Sequence, residues 1–339
     1  MIFNNWKYLR DKQGPRIVPD SDKPLPNSFI KYYSLSNNSV NAFTNRYLFF
    51  SHPSILNDPF DSCRQMVCLD KFSERQFVKL HERNQRLITP DMRYSHEHIQ
   101  SRTSRLFRED KSDLEDSYLT FFWNLIFKDW GILSLAGVDN DMLMWSYYNN
   151  HQGFALEFEN QLFEDNGIIG PFPINYADHY ETISPRSIRL ETEQLLYVTN
   201  VKYSQWSHEK EWRFLVNREN MSIPNYNDPT LELDKRKVSY KKDKVKSIIL
   251  GYKFFAENMT KTYFGKGKRL YQFNPVSNEM DKLKIEIINY IIENNITVRE
   301  VEIVENNTFS LNVMNIELIC KQKGHEYYVV SEYYKKPSS

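Results

Sequence analysis

The chain has 339 residues, with 44 Lys and Arg balanced by 44 Asp and Glu. That balance excludes a whole-protein cationic field for duplex DNA or an anionic membrane and leaves only a local basic patch. Aromatics at 15% and charged residues at 26% mark a folded, interface-rich protein, and 10 glycines, against a usual share of roughly 7%, leave little room for several glycine-rich phosphate loops.

Residues 1–27 are polar and carry Pro15, Pro19, Pro24 and Pro26, which predicts an irregular lead-in arm. A core domain is predicted over 28–275. It opens with a strand at FIKYYSL from Phe29, a short helix within 36–46 and a second strand, YLFFS, over 47–51. HPSILNDPFD (52–61) is rich in turn formers and reads as a loop. Residues 69–130 lack glycine and repeat apolar side chains at helical spacing (Phe72, Phe77, Leu80, Leu87), which predicts an inserted helical subdomain. Strands are expected at 132–137 and 153–159 around a helix at 141–150, then at 195–203, 212–216 and 244–251. Over 276–339 a helix (278–294) and two alternating segments (297–304 and 308–319), turned at Glu305-Asn306-Asn307, predict a C-terminal helix plus β-hairpin. The class is α+β, a mixed or mostly antiparallel sheet with inserted helices.

Cys63, Cys68 and Cys320 are too few and too scattered for a disulfide framework or a cysteine-rich zinc site, which predicts a reducing cytosol. The opening MIFNNWKYLR has no basic region followed by an apolar stretch, so no secretory signal is expected. The longest apolar runs, such as FFWNLIF (121–127), fall far short of the roughly 20 residues that span a bilayer. A cytoplasmic protein with no membrane is predicted.

Three segments carry candidate chemistry. Asn57 and Asp58, in the loop NDPFD with Asp61, either set a tight turn or line a pocket. Trp145 and Tyr148, three apart on one helical face and followed by His151, either pack on the sheet or form a stacking surface for an adenine or nicotinamide ring. In HEKEWR (208–213), Glu209 and Glu211 either belong to an exposed turn in which Arg213 pairs with one of them, or face a site together. In the second case one carboxylate orients a ribose hydroxyl and the other stabilises an oxocarbenium-like centre. No GxGxxG, Walker-type loop, HExxH or GxSxG occurs. Asp139, Glu157 and Glu159 can be arranged as a metal-nuclease set, without the Lys expected on the same strand.

The ordered blocks IKYYSL, YLFFSHPSILNDPFD, LSLAG with LMWSYYNNHQGFALEF, VKYSQWSHEKEWRFL and SIILGYKF resemble the bacterial family known as domain of unknown function 2971, over about residues 28–265. Part of that layout is similar to the ADP-ribosyltransferases, which place a His or Arg on a first strand, Ser on a second and a catalytic Glu, often in Glu-x-Glu. On that resemblance Lys31 stands where the His or Arg would be, beside Tyr32 and Ser34. Ser51 ends the second strand, and Glu211 with Glu209 takes the catalytic place. The implied function is an effector using NAD as substrate, in anti-phage defence or as a toxin, restrained by a protein partner. Nucleic acid would be met only through a partner or a local patch. The alternatives are a non-catalytic sensor or adaptor of a defence system, displaying the aromatic surface, and a metal-dependent nuclease.

Overall fold

A computed structural model describes residues 1–86, 90–164, 167–221, 235–255, 258–265, 268–276, 278–304, 310–321 and 326–332. The chain begins with an antiparallel meander, β1 (Ile2–Phe3), β2 (Trp6–Asp11) and β3 (Gly14–Val18), which corrects the expectation of an irregular arm. Alternation along β2 sends Trp6 and Tyr8 inward, where both are buried. Pro15 is compatible with a strand because β3 is an edge.

Next come β4 (Ser28–Tyr33), α1 (Asn37–Thr44) and β5 (Tyr47–Phe49). The Ser36 side chain accepts from the Ser39 amide and caps α1. The helical insertion is present as α2 (Glu74–Gln85), α3 (His96–Glu109) and α4 (Lys111–Lys128). It is followed by β6 (Trp130–Ala136), α5 (Met142–Asn149), β7 (Phe154–Glu159), β8 (Ile168–Pro173) and β9 (Asn175–Ala177).

The strand expected over 195–203 is instead α6 (Thr192–Asn200), with only β10 (Val201–Tyr203) extended. The run Leu195-Leu196-Tyr197-Val198 is buried throughout, and a continuous apolar run cannot tell a buried strand from a buried helix. Glu191 and Gln194 close a capping box at its start.

The remaining elements are β11 (Glu211–Asn217), β12 (Lys237–Ser239), β13 (Val245–Leu250), β14 (Met259–Gly265), β15 (Lys268–Phe273), α7 (Glu279–Asn294), β16 (Val298–Ile303), β17 (Leu311–Lys321) and β18 (Glu326–Glu332). The helix and the β16–β17 hairpin stand where expected. The turn expected at Glu305–Asn307 lies outside the described residues.

Among the described residues, eleven strands form one sheet in the order β14-β15-β18-β17-β16-β13-β7-β4-β6-β11-β8. Its pairs are antiparallel except β13 with β16, so the sheet is mixed and the class is α+β. One core, with Phe43, Phe154 and Ile287, includes residues of α1 and α7; a second, with Phe77, Phe122 and Leu196, gathers the insertion, α6 and the meander. A third and smaller core sets Trp145 of α5 against Ile30 and Tyr32 of β4. No helix among the described residues is long and apolar enough to cross a membrane.

The turn from α5 into β7 depends on Gly153, where an added Cβ would stand 2.1 Å from the Tyr33 carbonyl oxygen and 2.7 Å from Asn149 Cβ. Gly153→Ala is therefore expected to cost about 1–3 kcal/mol by overpacking against backbone that cannot step aside. A thermal melt checks this, and a variant melting with the parent would contradict it.

Candidate functional site

The sheet opens at the join of β4 and β6. β4 pairs with β7 along its whole length but with β6 only at Ile30↔Ala136. A second tie lies further along β6, where Ser51 and Ile132 exchange backbone hydrogen bonds of 2.7 and 3.0 Å. Between these ties the Ser134 carbonyl accepts from Lys31 Nζ at 3.1 Å. A cleft of about 360 Å³ occupies the gap. Its walls are Lys31 and Tyr32 from β4, Ser134 and Ala136 from β6, Tyr147 and Tyr148 from α5, and Ser51 and Asn57 from the loop side. Lys202, Glu209 and Glu211 also line it.

A local bend brings the two glutamates together. Glu209 ends a 3-10 turn (Ser204–Glu209), Lys210 takes a left-handed φ of 44°, and Glu211 begins β11. The start of β11 is pinned by Tyr176, whose hydroxyl accepts from the Glu211 amide at 2.9 Å. Lys202 Nζ then donates to Glu209 Oε2 and, at 3.0 Å, to Glu211 Oε2.

Behind the cleft wall lies Arg213, which is 1% exposed. Its Nε donates to Glu211 Oε1 at 2.6 Å, and its Nη1 donates to Asp61 Oδ1 at 2.8 Å and to the Thr199 carbonyl at 2.6 Å. Asp61, Glu211, Lys202 and Arg213 thus form one enclosed charge network that continues through Lys202 to Glu209.

These surroundings push the two glutamates apart in acidity. Burial alone would raise the Glu211 carboxyl, but Arg213 and Lys202, with a hydrogen bond from Ser134, hold it well below the usual carboxylate range. Glu209 is raised, first by burial and then by the negative charge of Glu211, with Lys202 and the Tyr148 hydroxyl opposing. That hydroxyl donates to Glu209 Oε1 at 2.7 Å, and its own pKa is raised by burial and by Glu209. Desolvation lowers the Lys31 ammonium against the upward pull of Glu211 and Glu209.

Of the residues singled out in the sequence, Lys31, Tyr32, Ser51, Asn57, Tyr148, Glu209 and Glu211 line the cleft. The others do not line it. Ser34 is exposed beyond the end of β4. Asp58 is buried and accepts from the Phe60 amide at 2.9 Å, a turn role, while the loop's second carboxylate, Asp61, joins the charge network. Trp145 is fully buried and donates its indole N–H to the Asp139 carbonyl at 2.8 Å, so it belongs to the core. His151 packs against Tyr252 with ring centroids 4.8 Å apart. Arg213 supports Glu211 from behind and is not a ligand contact.

Sequence reading misses Lys202, because a lysine in an apparent strand carries no mark of burial; its usable signal is its place just after the buried apolar run Leu195-Leu196-Tyr197-Val198. Of the nuclease candidates, Asp139 and Glu157 converge on Arg299, at 3.0 and 2.7 Å, so a guanidinium stands between them. Glu159 sits opposite Ser28, at the other end of β4 from Tyr33. Among the described residues no group of three His, Cys, Asp or Glu could hold a metal. Comparison with protein families, with curated proteins and with solved structures finds no match.

Proposed function

We propose that the cleft is a glycosyl-transfer site of ADP-ribosyltransferase type with NAD as donor. The observation that carries this reading is the facing pair Glu209 and Glu211, one raised and one depressed in pKa, in a cleft that also holds Lys31. In the reaction the bond from ribose C1′ to the nicotinamide nitrogen breaks and its electron pair leaves with nicotinamide. A bond from C1′ to an acceptor oxygen forms, and the acceptor's proton passes to the Glu209 carboxylate. Glu211, held anionic, stabilises the positive charge that develops at C1′. Tyr147 and Tyr148 offer aromatic faces to the nicotinamide ring, and Lys31, which with Lys202 lines the cleft, is assigned to the phosphates.

At about 360 Å³ the cleft is at the small end of ligand sites. It fits the nicotinamide-ribose half, with the rest of the dinucleotide beyond the half-exposed Ile55 at the rim. The order of the quoted motifs supports the same reading, and a role as a partner-restrained defence effector or toxin rests on that resemblance alone.

A second reading, a non-catalytic adaptor, is favoured by exposed Leu143 and Tyr147 on α5 and exposed Phe60 on the neighbouring loop. One experiment decides between the two. The purified full chain is incubated with NAD, alone and with cell lysate as a source of acceptor, and free nicotinamide is measured. Release is expected. A folded preparation that releases none under either condition would remove the transferase reading and leave the adaptor.

A further inference from the structure

A chain with no net charge carries one dense basic run, KRKVSYKKDKVK over 235–246, with seven cations against the single carboxylate of Asp243. The run lines no part of the β4–β6 cleft. It forms β12 and the turn leading into β13, and β12 pairs with β5 in a two-stranded ribbon apart from the large sheet.

Alternation divides this ribbon into two faces. Val238 and Tyr240 pack with Leu48 on the core, while Lys237 and Ser239 are exposed opposite Phe49 and Tyr47. Arg236 points inward and anchors the ribbon. Its guanidinium donates to the Trp130 and Phe127 carbonyls, each at 2.7 Å, and its own carbonyl accepts from the Phe50 amide at 2.8 Å. The outward face is therefore held in place from behind.

Positive charge on that face is not offset. Glu164 pairs with Lys241 and, at 3.0 Å, with Lys244, and Asp243 adds to its pull on Lys241. Lys237, Lys242 and Lys246 are exposed, as is Arg46, whose carbonyl accepts from the Tyr240 amide at 3.0 Å at the end of the ribbon. Among the described residues, no carboxylate lies within ion-pair distance of these four cations. Nor does the ribbon or its turn expose a large apolar side chain.

We propose that the β5–β12 ribbon and the turn after it bind the sugar–phosphate backbone of duplex nucleic acid. Arg46, Lys237, Lys242 and Lys246 meet phosphates, and the exposed Ser239 hydroxyl donates to another. Spaced cations with a hydroxyl between them suit a row of phosphates, and each contact releases condensed counterions. The Tyr47 ring lies under the Lys237 ammonium, 4.9 Å away, which leaves unpaired bases little to stack on and favours a duplex over a single strand. An anionic membrane is met less well, because stable attachment there needs an apolar or lipid anchor besides charge. The proposal does not depend on the activity assigned to the cleft.

Anisotropy of a labelled, mixed-sequence DNA duplex, titrated with the full chain over a range of salt, tests this. Saturable binding is expected, with log affinity falling against log salt at a slope of roughly −3 to −4 for four phosphates. Lys237→Glu combined with Lys242→Glu is expected to weaken binding about tenfold or more and to make the slope shallower by about 2. Lys12→Glu combined with Lys79→Glu makes the same change in net charge at exposed positions of the meander and α2, and is expected to leave binding nearly unchanged. Absence of saturable binding at low salt, an affinity indifferent to salt, survival of binding in the first double variant, or an equal loss in the second would each overturn the proposal. Retention on anionic phospholipid vesicles with none on the duplex would overturn it in favour of a membrane.

Discussion

Arg213→Met is expected to lower the stability of the fold by about 3–5 kcal/mol, the usual cost of removing one partner from a buried ion pair. The guanidinium is the only cation within hydrogen-bond distance of both Glu211 and Asp61 among the described residues; Lys202 reaches Glu211 at 3.0 Å but stands 3.7 Å from Asp61. Without Arg213, three enclosed carboxylates, Asp61, Glu209 and Glu211, are left facing one lysine, and the Thr199 carbonyl loses its donor. Adding Asp61→Asn to the variant should return part of the loss, since it removes one of the two uncompensated charges.

Acidification probes the same network. Glu211 is depressed below its ordinary 4.5, so its contribution is full above that value and is lost as pH falls through the folded-state value. The parent should therefore lose stability on strong acidification more steeply than Arg213→Met does. Urea unfolding across pH measures both effects. A variant as stable as the parent at neutral pH would show that the network does not hold the fold.

The second large effect separates the two glutamates. Glu211→Gln is expected to slow nicotinamide release about a hundred- to a thousand-fold, corresponding to roughly 2.7–4 kcal/mol of lost transition-state stabilisation. The neutral amide cannot balance charge growing at C1′, and it leaves Arg213 and Lys202 in positive excess. Glu209→Gln acts differently. Its amide oxygen can still accept from Tyr148, but it can no longer take the acceptor's proton.

Because Glu209 is raised, the parent rate should climb as pH rises through a value above the ordinary 4.5 of a glutamate. That limb should vanish in Glu209→Gln, leaving a slow rate indifferent to pH over the same range. In Glu211→Gln the limb should persist but move to lower pH, because the charge that helps to raise Glu209 is gone. Rates against pH for the three proteins check this. An unchanged limb in Glu209→Gln would assign the proton transfer to another group.

Much of the fold is readable before the structure, because α1 and α7 carry helical spacing behind an N-cap and β4, β6 and β7 are short apolar or aromatic runs bounded by turn formers. Two segments are misread for opposite reasons. Prolines in residues 1–27 suggest irregularity, yet Pro15 occupies an edge where no amide is required. The run at 195–198 suggests a strand, yet burial on every side removes the periodicity that would identify α6.

The site is readable in its poles and not in its wiring. Residue types pick out Glu209 and Glu211, and the family resemblance adds Lys31. The left-handed Lys210 that aims both glutamates at one cleft is a tertiary choice, with no local signature in a lysine. Asp58 and Asp61 look alike in the motif, and only the packed loop sends one to a turn amide and the other to a guanidinium.

The single rung between β4 and β6 also makes the sheet a structure with a fold line. On one side of it β4 is bound to β7 at six positions; on the other, β6 is bound to β11 at seven. Across it the backbone contributes one rung, joined by side-chain ties that include the Lys31 ammonium on the Ser134 carbonyl and the Tyr32 hydroxyl on the Val138 carbonyl. Opening along that line breaks fewer ladder bonds than opening anywhere between β7 and β4 or between β6 and β11. A molecule seated there acts as a splint between two plates, so its affinity is added directly to the cohesion of the whole sheet.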